Sequence, residues 1–253
     1  MHVQVQGHST YCYTGGKTLD AARPTIVFIH GVLNDHSVWI LQSRYFANHG
    51  FNVLAVDLPG HGKSAGPAPR SVEGAADFII ALLDAAHIAH TVLAGHSFGS
   101  LIAVEAAARA NAHTPGRITH VALLATAAPM VVSPALLDAS LNTPYKAIEM
   151  VNTFSHSTLS PPPSALGPGT WLYGGSRALM RRVLKSNPRE NVFHIGFTAC
   201  NEYKGAIAGI KHVQAALLFI VGSKDQMTAP KMAQPLIQAA KDADRKKSNQ
   251  RSA

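Results

Sequence analysis

Five residues, Gly95-His96-Ser97-Phe98-Gly99, carry the strongest chemical signal in the chain. They follow an apolar run of strand length and precede an alanine-rich helical pattern. A serine on such a sharp strand-to-helix turn is held in a strained conformation with its hydroxyl exposed. The flanking glycines, Gly95 and Gly99, leave room for the turn and for the helix to pack on the sheet. The start of the helix adds unpaired N–H groups and a positive field where an oxyanion forms. The chemistry this suits is attack on a carbonyl, with Ser97 as nucleophile.

A tetrahedral acyl-transfer intermediate needs at least two N–H donors aimed at its oxyanion. The amide of Phe98, just after the serine, is one candidate. The amide of Val32 is the other, in the His30-Gly31-Val32 turn after an earlier apolar run, with His30 and Gly31 shaping that turn. A third motif, Asp57-Leu58-Pro59-Gly60-His61-Gly62-Lys63-Ser64, forms a tight loop after another strand. Open α/β sheets place ligands at such strand ends. Asp57 and His61 are read as holding the loop rather than as catalytic.

These motifs need a sheet behind them. The runs Thr25–Ile29, Phe51–Val56, Thr91–Ala94, Val121–Ala125 and Ala216–Val221 are continuous and apolar, as parallel strands buried on both faces are. Helical patterns over Ala76–Ala86 and Phe98–Ala110 alternate with them, which predicts an α/β fold with a mostly parallel, helix-covered sheet. His2–Gln6 and Tyr11–Tyr13 read as an antiparallel opening pair. Between about Ala128 and Val213 the rhythm breaks. Pro129, Pro134, Pro144, Pro161–Pro163 and Pro168 punctuate short helical pieces, and Ser133-Pro134 and Thr143-Pro144 look like helix starts. The expected organisation is a core over 1–127 and 213–242, a helical cap over 128–212, and a disordered, polar basic tail over 243–253.

Composition narrows the function classes. With 47% hydrophobic residues and 14% charged ones, the 253-residue chain can bury one large core. The formal charge of +8 is spread along the chain, apart from the tail and a small cluster at Arg181, Arg182 and Lys185. Scattered charge gives no nucleic-acid footprint, so no nucleic-acid partner is expected. Cys12 and Cys200 have no metal-ligand spacing, and no run is apolar enough to span a membrane. No metal site, no membrane partner and a cytoplasmic location are the expectations.

His30-Gly31, Trp39, the Asp57–Ser64 loop and Gly95–Gly99 together resemble the α/β-hydrolase superfamily, in its capped, esterase-like branch. The resemblance runs from roughly Val3 to Ala240 and is weakest in the cap. It implies a serine nucleophile at Ser97, an oxyanion hole from the Val32 and Phe98 amides, and a site shaped by His30, Gly31, Trp39, Gly95, His96 and Gly99. It also implies no cofactor, a small-molecule acyl substrate, and the chain order nucleophile, acid, histidine. Asp225, in the loop after Ala216–Val221, matches the acid. A carboxylate there accepts the imidazole N–H and stabilises the imidazolium. A serine at position 97 argues against the haloalkane and epoxide branches, which use aspartate there.

No histidine follows Asp225. The family's last strand, the histidine and the closing helix are therefore expected to be missing, leaving Ala216–Val221 as a sheet edge. His96 flanks the serine, but adjacent side chains on such a turn are expected to point apart. His30, His61, His156 and His194 have no evident reason to meet Asp225. Without a base a serine is a poor nucleophile. The expectation is a serine hydrolase on ester-like bonds with crippled turnover. The alternatives are a non-catalytic binding protein, or an oligomer or partner that completes the edge.

Overall fold

Seven strands form one sheet: β1 (His2–Val5), β2 (His8–Tyr13), β3 (Thr25–Ile29), β4 (Asn52–Val56), β5 (Thr91–His96), β6 (Ile118–Leu124) and β7 (Ala216–Ile220). The computed structural model describes residues 1–155 and 172–251, so His156, Pro161–Pro163 and Pro168 lie outside the described residues. The spatial order is β1-β2-β4-β3-β5-β6-β7. β1–β2 and β2–β4 pair antiparallel, and every later pairing is parallel. This is the mostly parallel sheet that the apolar runs predict. β3 and β4 are buried along their whole length because helices cover both faces.

Register explains why the motifs converge. Ile29 lies beside Val56 on one side and Gly95 on the other, so β3, β4 and β5 end at the same level. His30, Asp57 and His96-Ser97 therefore emerge together at the carboxyl ends of adjacent strands.

One face of the sheet is covered by α2 (Val72–Ala85) and α3 (Phe98–His113). Helix α2 starts four residues before the expected Ala76, because Ser71 caps it by accepting the Gly74 amide at 3.0 Å. Helix α3 is buried nearly all round, which its run of alanines permits between sheet and neighbouring helices. The opposite face carries a smaller core under α1 (Ile40–Asn48), built on Phe28, Trp39, Ala47 and Val53.

Between β6 and β7 come α4 (Pro134–Asn142), α5 (Pro144–Ser155), α6 (Leu172–Ser186), α7 (Val192–Glu202) and α8 (Ala206–His212). Both expected serine/threonine–proline starts hold, and the Ser133 hydroxyl accepts the Leu136 amide at 3.3 Å. Helices α4–α7 pack on one another, whereas α8 packs on α3 and on α9 (Pro230–Arg251).

Two features at the far end qualify the expectations. Helix α9 continues to Arg251, so residues 243–251 are helical rather than a disordered tail. No proline or glycine follows Pro235 to stop it, and Gln238 donates to Asp242 one turn on at 2.8 Å. Strand β7 is the sheet's edge among the described residues, and its outward-facing Leu218 and Ile220 are 56% and 48% exposed. No helix among the described residues is long and apolar enough to cross a membrane.

Candidate functional site

Ser97 sits between β5 and α3 with φ 53° and ψ −119°, a region that side-chain-bearing residues rarely adopt. The sequence fixes this turn by crowding. A Cβ on Gly95 would meet the Gly99 carbonyl, and one on Gly99 would meet the Ile29 carbonyl. The Ser97 amide is pinned to the Leu124 carbonyl at 2.9 Å, and the Ser100 hydroxyl bonds the Ser97 carbonyl at 2.6 Å. The Ser97 hydroxyl itself makes no hydrogen bond among the described residues.

The Phe98 amide is the first in α3 and has no acceptor within the helix. The Val32 amide has no backbone acceptor in its turn. Gly31 lets that turn approach the serine: a methyl there would stand 3.0 Å from His96 Nδ1 and 3.2 Å from Ser97 Cβ. Val32 and Gly31 border the same chamber as Ser97, while Phe98 is buried in the core.

Asp225 borders this chamber too, but its carboxylate is already engaged. Oδ1 accepts the Met227 and Thr228 amides at 2.8 and 2.9 Å, and Oδ2 accepts the Thr228 hydroxyl at 2.8 Å. The acid thus holds the loop that leads into α9.

The imidazoles divide sharply. His30 accepts the Leu58 amide on Nε2 at 3.1 Å, so its proton is on Nδ1, which donates to the Gly31 carbonyl at 2.8 Å. Both nitrogens are spent, and burial pushes its pKa down. His61 donates from Nδ1 to the Pro59 carbonyl at 3.0 Å, and burial, with His30 beside it, pushes its pKa down to about 3. His194 lies between the Ser140 and Thr198 hydroxyls at 3.0 and 3.5 Å.

His96 is the exception. It borders the same chamber as Ser97 and Asp225. Its Nδ1 and the Ser97 Cβ both lie close against Gly31. Burial lowers the His96 pKa and the Asp225 charge opposes that drop, but no hydrogen bond joins the two. Trp39 lines no part of the chamber. It packs on Phe28 and meets His96 edge-on from behind, with ring centroids 6.5 Å apart.

The loop after β4 serves as scaffold. Asp57 is fully buried and accepts the His36 amide and Nδ1, both at 2.7 Å, and the Lys63 amide at 2.9 Å. Ligand atoms of Asp35, His36 and Asp57 lie within 4.8 Å of one another, the spacing of a cation site. Each carboxylate oxygen there already takes a protein donor. Asp35 caps the turn at Ser37 through Oδ1 and receives Arg182 of α6 on Oδ2 at 2.7 Å. Burial alone would raise the Asp35 pKa, but the Ser37 and Arg182 hydrogen bonds outweigh it and hold the carboxyl below its usual range. Sequence reasoning missed this tie between the helical insertion and the core. Its only trace was the basic cluster that contains Arg182.

Two cavities meet at Ser97. The larger, about 780 Å³, is bordered by Gly31, Val32, His96, Asp225 and Arg182. The smaller, about 350 Å³, runs under α4 and α5 and is lined mainly by apolar side chains. Ser97, Phe197, Met227 and Thr228 belong to both. Of these shared residues, only Ser97 was legible as a site residue in the sequence.

Residues 26–248 match the model of the alpha/beta hydrolase family. The enol-lactonase from Burkholderia xenovorans LB400 superposes with a TM-score of 0.77, covering 94% of this chain and 87% of that one at 22% identity. An esterase from Exiguobacterium antarcticum gives 0.76, covering 94% and 86% at 17% identity. At these identities the likeness concerns the fold. The (E)-2-((N-methylformamido)methylene)succinate hydrolase of Acinetobacter baylyi is 37% identical over 78 residues, 30% of this chain and 29% of that protein. The chain spans about a quarter to two fifths of the length of the curated relatives it matches.

Proposed function

Because the chain belongs to the alpha/beta hydrolase family, we propose that it is built for acyl transfer at an ester-like carbonyl, with Ser97 as nucleophile. The observation that carries this reading is the Ser97 turn itself. A non-glycine residue at φ 53°, facing a cavity and with its hydroxyl unbonded among the described residues, carries about 1–3 kcal/mol of backbone strain that packing must offset. Such strain at the mouth of a cavity suits a displayed nucleophile. The Val32 and Phe98 amides are the oxyanion donors and Asp225 is the acid of the site. Helices α4–α7 act as a cap over the substrate, a small acyl compound. The buried, unpaired thiols of Cys12 and Cys200 suit a reducing cytoplasm.

Proton transfer is the weak step. No imidazole among the described residues bonds to Ser97 or to Asp225. Losing the histidine of a serine–histidine pair costs about 10⁶ in turnover. Ser97-dependent hydrolysis carried by the described residues alone is therefore at or near background. The test is hydrolysis of a short-chain p-nitrophenyl ester beside Ser97→Ala. A large Ser97-dependent rate would mean that one of the chain's own groups acts as base.

A second reading follows from the closed hydrogen-bonding of Asp225: a protein that keeps the cavity for binding and performs no chemistry. It predicts that ligands bind alike to the native chain and to Ser97→Ala, and that no added base elicits turnover.

A further inference from the structure

The two cavities that meet at Ser97 differ in chemistry, and the difference specifies the ligand. The smaller has no charged side chain among its described lining residues. Met130, Met150, Met227 and Met232 line it together with Leu136 and Phe197. Thioether side chains are unbranched and polarizable, so they mould to a flexible chain without setting a rigid shape.

Two of its polar lining groups are turned to the protein. The Ser133 hydroxyl caps the Leu136 amide, and the Thr228 hydroxyl donates to Asp225. The Cys200 thiol, raised far above its ordinary pKa by burial, stays protonated and behaves as an apolar group. The larger cavity, by contrast, offers Asn34, His96, Asp225 and Arg182.

We infer that the methionine-lined cavity receives a straight alkyl chain of a carbonyl compound whose polar half lies in the larger cavity. This rests on the proposed acyl site only in placing the carbonyl at Ser97, where the two cavities join. A volume of about 350 Å³ is at the lower end for small-molecule sites and is ample for one alkyl chain, and the pliant methionine lining favours a flexible chain.

Binding tests this separately from turnover. Uncharged 2-alkanones, from 2-butanone to 2-dodecanone, are titrated calorimetrically into the native chain and into Ser97→Ala. Affinity rises about fourfold per added methylene until the cavity is full, and then levels off. In Met150→Trp the levelling comes at a shorter chain. If that variant does not fold, Leu136→Phe gives the same reading. Affinity that is flat across the series, or a break unmoved by filling the cavity, overturns the inference. Chain-length-dependent binding with no Ser97-dependent hydrolysis even in added imidazole supports the inference while contradicting the acyl-transfer reading.

Discussion

The Oδ2 atom of Asp225 accepts the Thr228 hydroxyl at 2.8 Å, while Oδ1 takes two amides of the same loop. The carboxylate is thus a structural clasp at the start of α9 as well as the candidate acid. Asp225→Asn keeps an acceptor for the amides and a donor for the hydroxyl, so thermal unfolding stays near that of the native chain. Asp225→Ala loses all three bonds and about 1–2 kcal/mol. Equal melting temperatures for the two variants would show that the clasp contributes nothing.

Strain at Ser97 has a measurable sign. Glycine adopts φ 53° and ψ −119° without the clash that a Cβ brings. Ser97→Gly is expected to be more stable than Ser97→Ala by about 1 kcal/mol in denaturant unfolding, although glycine normally destabilises.

The buried imidazoles make the fold acid-sensitive. His61 has its pKa lowered to about 3 in the folded state, below the ordinary 6.5 of the unfolded chain. Between those values the unfolded chain binds a proton that the folded one refuses, so stability is lost as pH falls through 6.5 towards 3. His30, lowered in the same direction, adds to the slope. Unfolding followed from pH 7 to pH 5 should show falling stability. His61→Asn should flatten the slope by up to about 1.4 kcal/mol per pH unit. A stability that is level across this range would contradict the buried, neutral assignment.

The edge strand predicts association. Leu218 and Ile220 present apolar side chains on β7, whose outer edge no strand pairs among the described residues. We propose that a second copy of the chain covers this edge. Sedimentation should show concentration-dependent self-association, reduced in the double variant Leu218→Lys and Ile220→Lys. A native chain that stays monomeric at high concentration would remove the proposal.

The parts of the fold that were legible in the sequence are those whose burial is uniform. β3 was read as Thr25–Ile29 and is observed with those bounds, because a strand covered on both faces is apolar throughout. β6 starts at Ile118, three residues before the expected Val121, because the partly buried Thr119 and the exposed His120 break the apolar run. Helix α1 was not foreseen, since only Ser43 and Ala47 of it are buried and it carries no strong apolar stripe. The motif residues around Ser97 were legible because steric crowding dictates their type. The Met227, Phe197 and Arg182 contacts were not. They depend on how the helical insertion settles on the core, which short-range pattern does not encode.

The central claim is a serine poised for acyl chemistry with no base among its described neighbours. It is tested most directly by p-nitrophenyl butyrate hydrolysis with and without added imidazole, the native chain beside Ser97→Ala and both shown to be folded. The two chains are expected to match without imidazole, and the native chain to exceed the variant once imidazole supplies a base. A strong Ser97-dependent rate without imidazole would show that the chain holds its own base, and none with imidazole would show that Ser97 is not poised for acyl chemistry.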